Sequence, residues 1–238
     1  MDVNRRAAAR AWRLLACGVC VAVLVAGCGW GGATAPAAGP TVEPAPLGPS
    51  SAEVFSVCGA PGIVDYDPIE SLAVLARDST VVIMGEIDRI QAGRTVTVGA
   101  ANHTSTTHSV VIVVRDITVV HGELDPAASG SVYIEFASGS FEACAPIVPD
   151  GTTIVAYLEP AWDGARSHVD EDPTSEYTEI KEPGAGRPVG QPLYRAAALE
   201  GLVWQIPGSA DLIWPLHLGT GTGDLRATLP DGTLAGPG

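Results

Sequence analysis

The run at residues 109–121, SVVIVVRDITVVH, does most to limit what this chain can fold into. Its β-branched side chains crowd the turn of a helix and pack well on a pleated surface, so it reads as strand. Residues 110–114 are apolar at every position, which requires cover on both faces, as in the middle of a closed or sandwiched sheet. Arg115-Asp116 interrupts the run and reads as a bulge that shifts the alternation onto Ile117 and Val119.

Three further runs have the same character: residues 80–90 (TVVIMGEIDRI), 131–137 (SVYIEFA) and 152–158 (TTIVAYL). Glycine, proline and aspartate separate them, and Pro149-Asp150-Gly151 is a turn leading into the last. Residues 199–206 (LEGLVWQI) supply the fifth strand, with a short closing piece at Leu212-Ile213-Trp214. One short helix precedes them. Asp67 is placed to cap it, Pro68 suits its first turn, and Glu70 completes a capping box, with Ile69, Leu72, Ala73 and Ala76 sharing one side. Residues 160–198 form a long acidic, Pro/Gly-rich excursion expected to be a charged flap, and residues 219–238 are expected to be a loose tail. The folded unit is therefore expected over residues 53–218, one domain of ordinary size.

The amino terminus is of another kind. Arg5, Arg6, Arg10 and Arg13 precede an apolar core from Leu14 to Ala26, about 13 residues where a bilayer span takes about 20. It reads as an export signal. Val25-Ala26-Gly27-Cys28 resembles the lipobox of bacterial lipoproteins, with Leu24 extending its apolar side. The resemblance implies a thioether-linked diacylglycerol on Cys28 and cleavage after Gly27, with residues 1–27 as the lipoprotein signal peptide. Two acyl chains give the double signal that stable anchoring requires. Ala7-Ala8-Ala9 after Arg5-Arg6 lacks the apolar pair of a twin-arginine signal, which favours the general secretory route. The expected location is the extracytoplasmic face of the cell membrane, with the bilayer as partner through acylated Cys28. Residues 28–52 then carry the lipid and a Pro/Ala/Gly-rich tether, reaching between about 25 Å as a coil and about 70 Å extended.

With Cys17 and Cys20 lost with the signal and Cys28 acylated, Cys58 and Cys144 remain as one possible disulfide, expected to oxidise outside the cytosol. Two separate buried thiols are the alternative. Such a crosslink is worth about 4 to 5 kcal/mol in the chain-entropy model. The formal net charge is -14, and Lys181 is the chain's sole lysine. Such a surface repels phosphate backbones, so nucleic acid is not an expected partner, and the acyl chains rather than electrostatics must hold the protein at a membrane.

The order of a cysteine segment, a short helix, VVIMGEIDRI, SVVIVVRDITVVHGELD, GSVYIEFASG, Cys144 and GTTIVAYLEP, over residues 56–158, resembles the netrin-like modules that include tissue inhibitors of metalloproteinases. That resemblance implies a mainly β chain with a five-stranded OB-like barrel and one short amino-terminal helix. An immunoglobulin-like β-sandwich is the alternative. The inhibitors chelate zinc through a free amino-terminal Cys-x-Cys. Here Cys58 lies well inside the chain and Ala60 stands where the second cysteine would be, so that activity does not carry over.

Motifs for catalysis are lacking: there is no Gly-x-Ser-x-Gly elbow, Ser-x-x-Lys, His-Glu-x-x-His or phosphate loop, and Gly139-Ser140 has no histidine placed by sequence to serve it. No catalytic residue, cofactor or metal ligand is assigned. His103 and His108, which with Asp116 could be imagined as metal ligands, read as part of a solvated hairpin loop, NHTSTTH, rather than a metal site, and Asn102 begins a formal glycosylation sequon. Asp163, Asp170, Glu171, Asp172 and Glu176 attract calcium in principle, but their spacing fits a mobile acidic flap better than an EF-hand loop. Trp162, Trp204 and Trp214 are either core or a platform for a ligand, with at least two expected in the core. The expected function is a binding module of the bacterial envelope with a protein or glycan ligand; an envelope hydrolase and a purely structural component are the alternatives.

Overall fold

A computed structural model describes residues 48–60, 66–100, 103–138, 140–162, 166–168, 177–216 and 218–237. Cys28 with its lipobox, nearly all of the tether, Asn102, Gly139, Asp163, Asp170, Glu171, Asp172 and Glu176 lie outside them. The chain is mainly β, with ten strands in one hydrogen-bonded sheet among the described residues.

Two helices, not one, precede the strands. Helix α1 is Ser51–Cys58, and its Ser50 hydroxyl and Glu53 carboxylate make a reciprocal capping box across a stretch expected to be tether. Val54 and Cys58 on its inner side are fully buried. Helix α2 is Leu72–Asp78, capped by Ser71, whose hydroxyl accepts from the Val74 amide at 3.2 Å. It starts later than Asp67-Pro68-Ile69-Glu70 promised, because the Ile69 amide donates to the buried Glu200 carboxylate and holds that stretch outside the helix. Leu72, Leu75 and Ala76 face inward, and Ala73 faces solvent.

Strands β1 (Val81–Ala100) and β2 (His103–Gly122) are each 20 residues long and pair along their whole length, well beyond the expected runs at 80–90 and 109–121. The bulge expected at Arg115-Asp116 is present: the register slips between Met84 and Glu86, and Asp116 has φ 52°. Strand β3 is Val132–Ala137, followed by the single turn α3 (Phe141–Cys144) and by β4 (Thr153–Pro160) after a turn whose Gly151 has positive φ.

The acidic excursion holds three strands: β5 (Arg166–His168), β6 (Tyr177–Lys181) and β7 (Leu193–Ala196). Strand β7 runs parallel to β3 and antiparallel to β4, while β4 also pairs with β1. The pairings therefore form a circuit, β1–β2–β3–β7–β4–β1. The expected fifth strand, β8 (Leu202–Gln205), stands outside that circuit, on β4, and continues into β9 (Asp211–Trp214) and β10 (Gly219–Thr222). Strands β6 and β5 add to the far end of β1.

The main core gathers one face of the circuit strands, among them Val81, Ile83, Val110, Ile112, Val114, Ile134, Ile154 and Leu158, with Trp204. The disulfide Cys58–Cys144 ties α1 to α3, with 4.8 Å between the Cα atoms. A second cluster packs α2 against Val155, Tyr157, Trp214 and Leu225. Leu225 belongs to the stretch expected to be a loose tail. That stretch carries β10 and a 3₁₀ turn at Leu225–Thr228, and the carbonyl of buried Thr228 accepts from the Tyr157 hydroxyl at 2.6 Å. Burial pushes the Tyr157 phenol pKa up, so that hydroxyl stays a donor.

Candidate functional site

Past Ala92 the β1–β2 hairpin leaves the core and becomes an arm, with residues 95–100 paired to 103–108 in unbroken register. The base of this arm is a polar strut. Arg94, with 3% of its side chain exposed, forms a two-pronged ion pair with Glu135 of β3, at 12%. Its remaining prong donates to the Trp162 carbonyl at 2.8 Å. The Ser109 hydroxyl is shared between Glu135 Oε1, at 2.7 Å, and the Arg94 carbonyl, at 3.0 Å. Gly93 is required there, because a Cβ would lie 2.4 Å from Ser109 Oγ.

The outer face of β2 and β3 is closed by the chain itself. Val111 and Val113, fully buried, pack with Tyr133 and Leu193, and Ala161 lies against them. Gly186, at φ +78°, presses so close that an added Cβ would sit 2.5 Å from Val111 Cγ2, and its carbonyl accepts from the Gln91 amide group. No ligand reaches that part of the sheet without displacing this cover.

What stays open is beside the arm. Strand β3 pairs with β2 only from Ser109 to Val114, then turns away into α3. A cleft of about 500 Å³ occupies the space beyond, lined by Gly93, Thr106, Thr107, His108, Ser109, Ser138, Ser140 and Glu142 among others. A second hollow of about 340 Å³ shares Thr107 and Ser109 and is lined by Val96, Phe136, Ala196 and Leu216. Ser138 is 7% exposed, and among the described residues its hydroxyl finds no hydrogen-bond partner. A buried, unpartnered hydroxyl is costly, about 1 to 3 kcal/mol, and Ser138 carries one on the lining of the cleft.

Ser140 accepts from the Ala143 amide as the cap of α3 and donates to Glu142 Oε2 at 3.0 Å. A backbone hydrogen bond within Glu142 and the Ser140 hydroxyl, with a further contribution from His108, hold the Glu142 carboxyl below its ordinary value. His108 Nδ1 lies 3.1 Å from the Thr95 hydroxyl across the arm. The fold thus brings a histidine to the cleft that holds Ser140, which the sequence order did not indicate.

The other sequence candidates disperse. His103 and His108 lie on β2 rather than in a loop, with exposed side chains, and Asp116 sits at the bulge, eight residues beyond His108 and so about 26 Å along the strand. Among the described residues no three His, Cys, Asp or Glu side chains are grouped to hold a metal ion. Trp204 and Trp214 are core, at 0% and 1% exposure, and Phe136 meets Trp204 edge-on at 5.7 Å. Trp162 is 41% exposed at the rim of the strut. Arg94, Glu135, Ser138 and Glu142 were not candidates, because nothing in a linear pattern joins residues that the sheet brings together from 41 positions apart. Compared with family models, with curated proteins and with solved structures, the chain matches none.

Proposed function

We propose that the chain is a lipid-anchored, extracytoplasmic binding module of a bacterial envelope, tethered through Cys28 and binding its ligand in the cleft beside the β1–β2 arm. The observation that carries the binding reading is the Ser138 hydroxyl, buried without a partner among the described residues on the wall of a cleft that four other hydroxyls also line. Support for the anchor is the order of arginines, apolar core and Val25-Ala26-Gly27-Cys28 in the sequence.

We read the pairing circuit as an OB-type barrel. Five strands joined in a ring, with the parallel pair β3–β7 and a helical turn between β3 and β4, favour it over an immunoglobulin-like sandwich, whose two sheets pair separately. OB barrels take oligonucleotides and oligosaccharides over strands 2 and 3. Here Gly186, Ala161 and Leu193 cover that face, which moves the binding site to the cleft.

An envelope hydrolase is the second reading, favoured by Ser140, His108 and Glu142 on one cleft. Against it, the Ser140 hydroxyl is engaged with Ala143 and Glu142 while the His108 ring contacts Thr95, so no nucleophile–base hydrogen bond is set up. The experiment is fractionation of wild type and Cys28→Ser, with mass analysis of residue 28. Wild type is expected in the membrane with an acylated cysteine and the variant in the soluble fraction. Identical distributions would sink the anchor.

A further inference from the structure

We infer that the unpaired edge of β2 at residues 103–108, together with the cleft beside it, docks an extended cationic peptide segment of a partner protein, added as the strand that β3 does not continue. This rests on the binding-module reading above and names the ligand class.

On one side residues 103–108 pair with β1 without a register shift, and on the other, among the described residues, they have no strand partner once β3 ends at Ala137. Alternate residues of such an edge point their N–H and C=O groups away from β1, which is a template for an incoming strand. Edges are usually blunted by charge, proline or a bulge. The other stretch of β2 with no β3 partner among the described residues, 115–122, carries Arg115, Asp116 and two register slips. Residues 103–108, HTSTTH, carry neither proline nor carboxylate nor lysine or arginine.

Charge selects the occupant. Glu142 is the carboxylate of the cleft, and the lining has no lysine or arginine. Arg94 at the base of the arm and Arg195 on the wall of the hollow are held by Glu135 and Glu159, and Lys181 lies across β1, opposite Thr95, on the side away from the cleft edge. The chain as a whole is at -14, which disfavours a second copy of itself. Its own tether is interrupted by a proline every few residues over 36–49, which breaks up a continuous ladder there. A glycan would satisfy Ser138 equally well, but among the described residues the cleft offers only half-buried Phe141 as an aromatic, and that ring packs against the core. Side chains of an added strand alternate between its two faces. Cationic ones would meet Glu142 and apolar ones the hollow of Val96, Phe136 and Leu216.

The test uses the full chain in detergent, a labelled hexapeptide alternating valine and lysine, the same peptide methylated on alternate backbone nitrogens, and a peptidoglycan-derived glycan fragment. Binding is followed by anisotropy and by hydrogen exchange. The unmodified peptide is expected to protect amides within residues 103–109, and methylation to weaken binding at least about tenfold by removing ladder donors. Glu142→Gln is expected to weaken it about two- to fivefold, as for an exposed ion pair. Equal binding of the methylated peptide, protection at 117–122 instead, or no peptide binding at millimolar concentration would overturn the proposal. If the glycan alone protects residues 103–109, the peptide proposal falls and the binding module stands. If neither probe protects them, both fall.

Discussion

The near and far halves of the β1–β2 hairpin are built from the same two strands and share one ladder, yet one is core and the other arm. In the near half, Val110 to Val114 are buried on both faces, and β2 has β3 as well as β1 for a neighbour. In the far half, residues 103–108 are all exposed and, among the described residues, they pair with β1 alone. Threonine explains how both can be strand. Its branched Cβ favours the extended backbone as valine's does, while its hydroxyl tolerates water. Strand propensity and burial are separate instructions, and β2 obeys the first along its length and the second only over Ser109–Val114.

The largest effect expected from this contrast is at the strut between the halves. Glu135→Ala leaves the Arg94 guanidinium buried beside a carboxylate that is gone, and breaking such a pair costs about 3 to 5 kcal/mol. Urea unfolding should show that loss, and hydrogen exchange should show residues 95–108 opening before the core does. A uniform rise in exchange across both halves would mean that the arm is no separate unit. Replacing Arg94 and Glu135 together by leucine and methionine should recover most of the stability, since the cost lies in the unpaired charge.

Next in size is a matched pair on β2. Ile112→Ala removes a fully buried side chain and is expected to cost about 2 to 5 kcal/mol, whereas Thr107→Ala, five residues along, should fall within about 0.5 kcal/mol. Comparable losses at both sites, measured by the same denaturation midpoints, would show that the arm contributes to the core after all.

The same contrast explains what could be read from the sequence. The near half was legible, because a run of β-branched apolar residues has one reading, and so was the Asp116 bulge, because a charged dipeptide breaks the alternation there. The far half reads as a loop in the sequence because its threonines are polar, and that polarity masks their strand propensity. Strand β7 was hidden for a related reason. Four residues between prolines and glycines carry no period, and only the parallel partner β3 makes LYRA a strand. Asp67 and Pro68 looked like a helix start until Glu200, from 131 residues away, claimed the Ile69 amide. The cysteine pair followed from counting, while the cleft did not, since it is defined by where β3 stops rather than by any residue type.

The smallest effect concerns a weaker charge contact between arm and core, beyond the Arg94–Glu135 strut. The Glu142 carboxyl is held below its ordinary value of 4.5 first by a backbone hydrogen bond of its own, then by Ser140, and last by His108 from the arm. A carboxyl with a depressed folded pKa adds stability above its unfolded value and loses it as the pH falls through the folded value. The melting-temperature gap between wild type and Glu142→Gln should therefore be constant near neutrality and close as the pH drops below 4.5. Carboxyl titration by NMR separates the contributors. Ser140→Ala should raise the Glu142 pKa more than His108→Ala does, and a larger shift in the histidine variant would mean that the arm, rather than the turn at the end of β3, sets the charge of the cleft.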